Sequence, residues 1–340
     1  MKNSFNRITS LLLLLVLMVG CTENETNNQQ VTAITLSAEK TNMVTGTTTD
    51  FSVISNLGTN LNSETVFYVN DVDILGSQYK FQEANTYTVK AVYKNITSNT
   101  LKITVENQYV NRVLVEEYSG TWCGNCTRIL YGTQLLREQS DKAVTVQIHL
   151  FNGDPFITSQ GNAFATQQNV GGVPTGKINR TINWNGPQYQ NVSQVINEIK
   201  PSAAVGLAVN TTINANTLNI NVLLGYANTT IQSRLVVYIV EDNLFYTQAN
   251  YSSNLYGGLS SIPNFKYEGV LRSIVSSSAG DAITVTGNQV QKNYTVTIPS
   301  NVSNICNAKV VAFLIDANTK TVLNVRESNT ELNQALELIQ

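Results

Sequence analysis

Residues 116–126, which read EEYSGTWCGNC, are the stretch on which the fold prediction depends. The apolar run Val113-Leu114-Val115 before them predicts a strand, and Cys126 to Glu138 predicts a helix. Two cysteines are thus predicted to lie two residues apart where a strand meets a helix N-terminus. Because unpaired N–H groups at that terminus favour negative charge, we expect an exposed, thiolate-forming Cys123 and a shielded Cys126 one turn inward.

The elements around this stretch predict the order β-α-β-α-β-β-α for residues 111–201. A strand over Ala143 to Phe151 and a helix over Phe156 to Val170 come first, followed by a hairpin over Val173 to Asn185. Pro201 ends a last helix, whose apolar face is formed by Val192, Val195, Ile196 and Ile199. This order implies a parallel crossover followed by an antiparallel hairpin.

Residues 111–201 resemble a thioredoxin-like domain. Five further segments of the chain carry a second resemblance: Glu116 to Cys126, His149 with Asp154-Pro155, Gly172 to Thr175, Asn179-Arg180 and Val270-Leu271-Arg272. With these segments, the whole mature chain resembles the outer-membrane lipoproteins related to outer membrane protein 28. Such proteins often have Pro directly after the second Cys, where this chain has Thr127. This departure implies a looser helix start and a different redox potential.

The resemblance implies roles for six residues around the cysteine pair. Glu117 lies six residues before Cys123, where thioredoxins bury a proton acceptor, and the proline of the third strand lies against the pair. The implied catalytic residues are Cys123, Cys126 and Glu117, and the implied substrate-binding residues are Trp122, Val173 and Pro174. We also predict a cis Val173–Pro174 bond, because two glycines allow a sharp approach to the strand that follows.

Other interpretations of these residues stay open. The pair could be a purely structural disulfide, since the cell envelope is oxidising. Only His149 and Cys306 remain to complete a zinc site, and they lie in different predicted domains, so we expect no metal and no cofactor. His149 could tune the thiols or make an ordinary hydrogen bond, and we expect Cys306 to be a buried apolar side chain.

The composition of the 340-residue chain excludes several classes of protein. Charged residues make up 13% of it and the net charge is −2, which argues against a general nucleic-acid binder. A hydrophobic fraction of 42%, with 15 Tyr and 10 Phe, argues against disorder over the whole chain. The single His excludes a multi-histidine metal site, and the abundance of Asn and Thr favours strands and turns.

The N-terminus predicts a bacterial lipoprotein, and the resemblance implies that it lies at the outer membrane. Lys2 and Arg7 precede the apolar run Leu11 to Val19, which is typical of a signal peptide over residues 1–20. Met18-Val19-Gly20-Cys21 resembles a lipobox, so Cys21 is predicted to carry the lipid, although an ordinary cleaved signal would also fit. Residues 21–30 are polar and are predicted to be a flexible tether.

The remaining chain shows period-two patterns that predict two immunoglobulin-like sandwiches, at residues 31–106 and 203–328, with a tail at 329–340. The predicted fold class is therefore multidomain α+β, with a thioredoxin-like α/β domain between two antiparallel β-sandwiches. An aromatic-rich segment with Tyr246, Tyr251, Tyr256, Phe265 and Tyr267 could be a binding lip, but packing against the neighbouring domain is favoured.

Two functions of different classes follow. In the first, the pair exchanges disulfides with envelope proteins that carry thiols or disulfides, and the lipid anchor holds the protein at the membrane. In the second, the protein is a non-enzymatic surface or adhesion lipoprotein, and the pair is a fixed disulfide in a scaffold. No nucleic-acid partner is expected in either case.

Overall fold

The computed structural model describes residues 30–151 and 153–339. Its first part consists of nine strands, β1 to β9: Ile34–Ala38, Asn42–Val44, Thr48–Ser55, Thr65–Val69, Val72–Ile74, Gln78–Lys80, Asn85–Tyr93, Ile96–Thr97 and Leu101–Glu106. They form two sheets, in the orders β1-β3-β6 and β2-β9-β7-β4-β5, with β8 beside β7. One apolar core, with Phe51, Phe67 and Phe81 fully buried, joins the two sheets.

The middle part holds the cysteine motif. Its elements are β10 (Val113–Ser119), α1 (Thr127–Gln139), β11 (Ala143–His149), α2 (Gly161–Gln167), β12 (Thr175–Ile178), β13 (Ile182–Trp184) and α3 (Val192–Ile196). Strand β10 pairs in parallel with β11, which puts Glu117 opposite Gln147, and it pairs antiparallel with β12. All seven residues of β10 are buried, because neighbouring strands flank it and both of its faces are covered.

The last part adds ten strands. Strands β14 to β23 are Val205–Asn214, Thr217–Tyr226, Ser233–Glu241, Leu244–Ala249, Ser261–Tyr267, Val270–Ile274, Asp281–Ala282, Gln289–Thr297, Ala308–Asp316 and Val322–Asn329. Strands β14, β15 and β21 form a separate sheet, and β17 pairs with β18 in a hairpin. The others join the middle part in a nine-stranded sheet of order β13-β12-β10-β11-β19-β16-β22-β23, with β20 beside β16.

The two faces of the nine-stranded sheet bury different cores. On one face a continuous core runs from Leu114 and Ile148 through Phe164 of α2 to Tyr238 and Phe313. On the other face, α1, α3 and the β17–β18 hairpin cover the β10 end, while the β14–β15–β21 sheet covers the β16 and β22 end. The cysteine motif lies on this second face, at the start of α1.

The predicted fold class is wrong. The structure is mostly β, and its three α-helices have only 13, 7 and 5 residues. Residues 111–201 form no separate thioredoxin-like α/β domain, because their strands continue through β19 into the strands of the last part and share one core with them.

Individual elements agree better with the sequence than the predicted fold class does. Helix α1 and the β12–β13 hairpin lie where the periodicity predicts them. Helix α2 begins later than predicted, because the Asp154 carboxylate accepts the N–H of Phe156 (2.9 Å) and turns the chain before Gly161. Within the described residues, no helix combines the length and the apolar content needed to span a bilayer.

Candidate functional site

Cys123 and Cys126 form a disulfide where the loop after β10 enters α1, with their Cα atoms 5.3 Å apart. Cys126 is the N-cap residue of α1, and its carbonyl accepts the N–H of Leu130 at 3.1 Å. Cys126 is fully buried, as predicted. Cys123 is only 6% exposed, so the expectation of an exposed first cysteine is wrong.

The cover over Cys123 comes from residues 248–252, which we call the strap. The strap N–H groups of Ala249 and Tyr251 donate to the carbonyls of Thr121 and Gly124, each at 2.9 Å. The Nε2 group of the fully buried Gln248 donates to the carbonyl of Cys123 at 2.9 Å. These bonds attach the end of β17 directly to the cysteine loop and leave little of the disulfide in contact with solvent.

Thr127 ties the start of α1 to the strap. Its hydroxyl, which is fully buried, lies 3.0 Å from Oδ1 of Asn250 and 3.1 Å from the carbonyl of Gly124. A proline at this position would have no hydroxyl to make either bond. The departure from the resembled family's common proline therefore gives this chain a hydrogen bond across the site, instead of the looser helix start expected from the sequence.

The cysteine loop is held from its other side by Asp154. The Oδ2 atom of Asp154 accepts the N–H of Thr121 at 2.7 Å, and Oδ1 lies 2.9 Å from Nδ1 of His149. Burial would raise the pKa of Asp154, but the hydrogen bond and charge of His149 and the N–H groups of Phe156 and Thr121 lower it. His149 thus acts through Asp154 in positioning the loop.

Glu117 is completely buried between β10 and α1. Burial raises its pKa from 4.5 to about 7, and the opposing effects of Arg137 and the Thr133 hydroxyl do not cancel that shift. Neither carboxyl oxygen has a hydrogen bond of good geometry to another described residue, the nearby Thr133 hydroxyl included. An unpaired carboxyl with a pKa near neutrality can take up and release a proton at physiological pH.

Other polar groups on this face of the sheet also lack partners. They are the Ser119 hydroxyl, Oε1 of Gln147 and Nε2 of His149, all buried and without a hydrogen bond in the part of the chain that the structure describes. Parallel pairing puts Gln147 beside Glu117 and His149 beside Ser119. Each buried polar group left unpaired lowers the stability of the fold by about 1–3 kcal/mol. A sheet with a purely structural role would not be expected to keep several of them side by side.

The structure places the three predicted substrate-binding residues differently with respect to the motif. Trp122 is 48% exposed, and its ring packs edge-on against Phe151 with centroids 5.3 Å apart. The Val173–Pro174 bond is cis, as predicted. Pro174 lines a cavity of about 490 Å³ together with Arg128, which follows Cys126 by two residues. Val173 is partly buried against the core beneath the opposite face. Their role in binding a substrate stays a prediction.

The model of the family described as outer membrane protein Omp28 matches residues 161–334, just over half of the chain. The chain belongs to the Omp28 family. Membership places this lipoprotein at the bacterial outer membrane, which confirms the predicted localisation. It also confirms the coarser part of the predicted resemblance, whereas nothing in the comparisons supports a thioredoxin-like domain.

Two solved structures are similar to this Omp28-family chain. HBP35 of Porphyromonas gingivalis matches with a TM-score of 0.53 and 14% identity, covering 67% of this chain and 78% of its own, which indicates a shared fold alone. A domain of the outer membrane lipoprotein Omp28 from Porphyromonas gingivalis matches with a TM-score of 0.27 and 21% identity, over 39% of this chain and 93% of its own. A search of curated proteins finds no significant match.

The other predicted residues of the Omp28-family chain lie away from the motif. Cys306 is an exposed free thiol, so its predicted burial is wrong; it lies in a short 3₁₀ turn before β22 rather than inside the strand. Cys21 and the signal peptide lie outside the described residues. Among residues 30–151 and 153–339, no three His, Cys, Asp or Glu side chains are grouped closely enough to hold a metal ion.

Sequence reasoning missed the strap. The aromatic-rich segment was expected to pack against a neighbouring domain, and the structure packs part of it on the cysteine loop itself. Gln248 and Asn250 make the decisive side-chain hydrogen bonds to the loop and to Thr127, yet nothing in their local pattern marks them. The one available signal was the unusual density of tyrosines between two strand patterns.

Proposed function

We propose that this outer-membrane lipoprotein exchanges disulfides with proteins of the cell envelope through Cys123 and Cys126. The observation that carries the proposal is Glu117, a buried carboxyl with a pKa of about 7 and no hydrogen-bond partner in the described chain. It lies on the strand that leads into the motif and beneath the helix that begins at Cys126. Strongly shifted carboxyls of this kind concentrate at functional sites.

The exchange balances as two thiol–disulfide substitutions. In the reduced protein, the Cys123 thiolate attacks a substrate disulfide, forms a mixed disulfide and releases one substrate thiolate. Glu117 then accepts the proton of the Cys126 thiol, and the Cys126 thiolate attacks Sγ of Cys123. The second substrate thiolate leaves, the substrate is reduced, and Cys123–Cys126 is oxidised. An envelope dithiol is needed to restore the reduced pair.

Partners follow from this chemistry. They are envelope proteins with accessible thiols or disulfides, and the protein meets them while its N-terminal lipid on Cys21 anchors it in the membrane. The helix N-terminus at Cys126 favours the thiolate required for attack. No nucleic acid enters the proposal.

A second candidate function is a non-enzymatic surface or adhesion protein in which the disulfide is a fixed brace. The observation that favours it is the 6% exposure of Cys123 beneath the strap. A buried, hydrogen-bonded cysteine loop resists attack by a bulky partner.

The redox potential of the Cys123–Cys126 pair separates the two candidates. It is best measured by equilibration with dithiol buffers on a Cys306→Ser protein, so that the exposed thiol does not interfere. Exchange predicts a value of about −120 to −270 mV, whereas a structural brace predicts a value below about −300 mV. In the same background, Cys126→Ser should trap envelope proteins on Cys123, and Glu117→Gln should slow the resolution step more than the attack.

A further inference from the structure

The strap binds the cysteine loop in the way that a separate extended peptide would. The N–H groups of Ala249 and Tyr251 point to the loop, while the N–H of Asn250 between them points away and donates to the carbonyl of Ser260 at 2.9 Å. This alternation is that of a β-strand, with one edge on its own hairpin and the other on the cysteine loop. Main-chain pairing of this kind is one general mode of peptide recognition.

Gly124 provides a seat for an aromatic ring. A Cβ atom at this position would lie 2.4 Å from ring carbons of Tyr251, so only glycine allows the ring to lie so close. Yet Tyr251 is 73% exposed, which means that the ring covers the glycine with one face and leaves most of its surface in water. A contact of this size holds a side chain in place without burying much apolar area.

Exposed aromatic side chains frame the same loop. Trp122 and Phe151 are 48% and 49% exposed and pack edge-on against each other, beside a cysteine that is only 6% exposed. Exposed apolar groups clustered around a covered reactive group are typical of an interaction surface. The strap therefore covers the part of this surface that contains the disulfide and leaves its aromatic rim free.

We infer that the strap occupies, within the molecule, the place where an extended segment of a partner polypeptide docks beside Cys123. The partner segment supplies main-chain N–H groups to the carbonyls of Thr121 and Gly124 and an aromatic side chain to the Gly124 seat. Trp122 and Phe151 then contact its flanking apolar residues. The inference rests on the proposed function in that the docked segment is the one whose disulfide or thiol reaches Cys123.

Thr127 attaches α1 to the strap through its hydroxyl, which lies 3.0 Å from Oδ1 of Asn250 and 3.4 Å from the Ser252 hydroxyl. Val has nearly the shape of Thr but no hydroxyl, and Oδ1 of Asn250 keeps the N–H of Ser252 as a donor at 2.9 Å. Thr127→Val therefore weakens the attachment of the strap to α1 and leaves no unpaired acceptor on Asn250. Thr127→Ser keeps the hydroxyl and is the matched control.

The first experiment measures how fast a small phosphine reduces Cys123–Cys126 in the full-length chain with Cys306→Ser. Thr127→Val and Tyr251→Ala should each raise the rate roughly three- to tenfold, as expected for the loss of one hydrogen bond or one ring contact. Thr127→Ser and Phe245→Ala, which removes an exposed β17 aromatic, should match the parent. Unchanged rates in Thr127→Val and Tyr251→Ala proteins with intact thermal unfolding would overturn the inference.

The second experiment asks whether a separate peptide takes the place of the strap. The probe is the blocked hexapeptide QANYSS, the sequence of residues 248–253, added to the Thr127→Val/Tyr251→Ala double variant. It should slow the reduction back toward the parent rate, and a scrambled hexapeptide should not. Faster reduction of the variants without any peptide effect would mean that the strap is only a cover, and the docking inference would be lost.

The outcomes of these two experiments distinguish failure of the docking inference from failure of the proposed exchange activity. A strap that the peptide replaces, over a pair whose potential lies below about −300 mV, would support the docking surface and remove the exchange activity. If the pair exchanges disulfides but its reduction rate is the same in the strap variants, the exchange activity would be supported and the docking inference would be lost.

Discussion

Glu116 and Glu117 are neighbours on β10, and they point to opposite faces of the nine-stranded sheet. Both are fully buried. Oε1 of Glu116 accepts the Tyr238 hydroxyl at 2.8 Å and lies 3.4 Å from Nε of Arg180, whereas Glu117 has no hydrogen-bond partner in the described chain. Two identical side chains one residue apart thus have different hydrogen-bond partners, because the two faces of the strand are closed by different parts of the chain.

The Glu116 side shows what a structural buried charge looks like. Burial would lower the pKa of Arg180, but Tyr238 and Glu116 raise it, and its guanidinium lies 4.6 Å from the ring centre of Phe313. On the Glu117 side, Arg137 and Thr133 offset burial only in part, so the pKa of the Glu117 carboxyl stays raised to about 7. The Glu116 carboxylate is thus paired with a buried cation, whereas ionising the Glu117 carboxyl costs the folded protein stability.

The largest effect is expected from removing the cation that pairs with Glu116. Arg180→Ala leaves the Glu116 carboxylate buried without its cation and should lower the free energy of unfolding by about 3–5 kcal/mol. Urea denaturation at pH 7 measures this, with Arg128→Ala as the control. Arg128 is exposed and makes no ion pair within the described residues, so its loss should change stability by less than about 0.5 kcal/mol. Equal effects of the two variants would contradict the compensated network.

The next largest effect is the change in protein stability with pH that Glu117 is expected to cause. The folded pKa of Glu117 is raised to about 7 from 4.5, so the folded state holds the extra proton in that interval and stability should fall as pH rises through it. The loss approaches about 3 kcal/mol, and Glu117→Gln should remove it. Denaturation curves from pH 4 to 8 measure the difference. Parallel pH profiles for both proteins would mean that Glu117 titrates normally.

A smaller effect is expected at the Asp154 support of the cysteine loop. Asp154→Asn places an amide donor or a weaker acceptor against the N–H of Thr121 and should cost about 2 kcal/mol at pH 7. Because the folded pKa of Asp154 is lowered, its contribution is present above about pH 4 and is lost as pH falls below that value. The gap between variant and parent should therefore shrink in acid. The exposed Asp141→Asn serves as the control, and a constant gap would contradict this assignment.

The smallest effect is expected at Cys306. Its thiol is exposed, so Cys306→Ser should change the free energy of unfolding by less than about 0.5 kcal/mol. In the oxidised mature domain, an alkylating reagent should label Cys306 and leave Cys123 and Cys126 unmodified. Peptide mass spectrometry measures both, and labelling at Cys123 before reduction would show that the disulfide does not form.

The sequence by itself determined the local features of this protein. The position of α1, the β12–β13 hairpin, the pairing of Cys123 with Cys126 and the cis Val173–Pro174 bond follow from short-range signals. These signals are helical periodicity, turn residues and cysteine spacing, all of which act over a few residues. A single sequence is enough to predict these features, because the interactions that produce them act between residues close together in the chain.

Only the tertiary structure decided how these pieces are joined and covered. A single register contact between Gln147 and Val270 links β11 to β19, which merges two predicted domains into one sheet. The strap reaches the cysteine loop from more than 120 residues away and turns an expected exposed cysteine into a buried one. Nothing local specifies which distant strand or loop closes a given face, since many segments share the same period-two pattern and the choice depends on packing the whole chain.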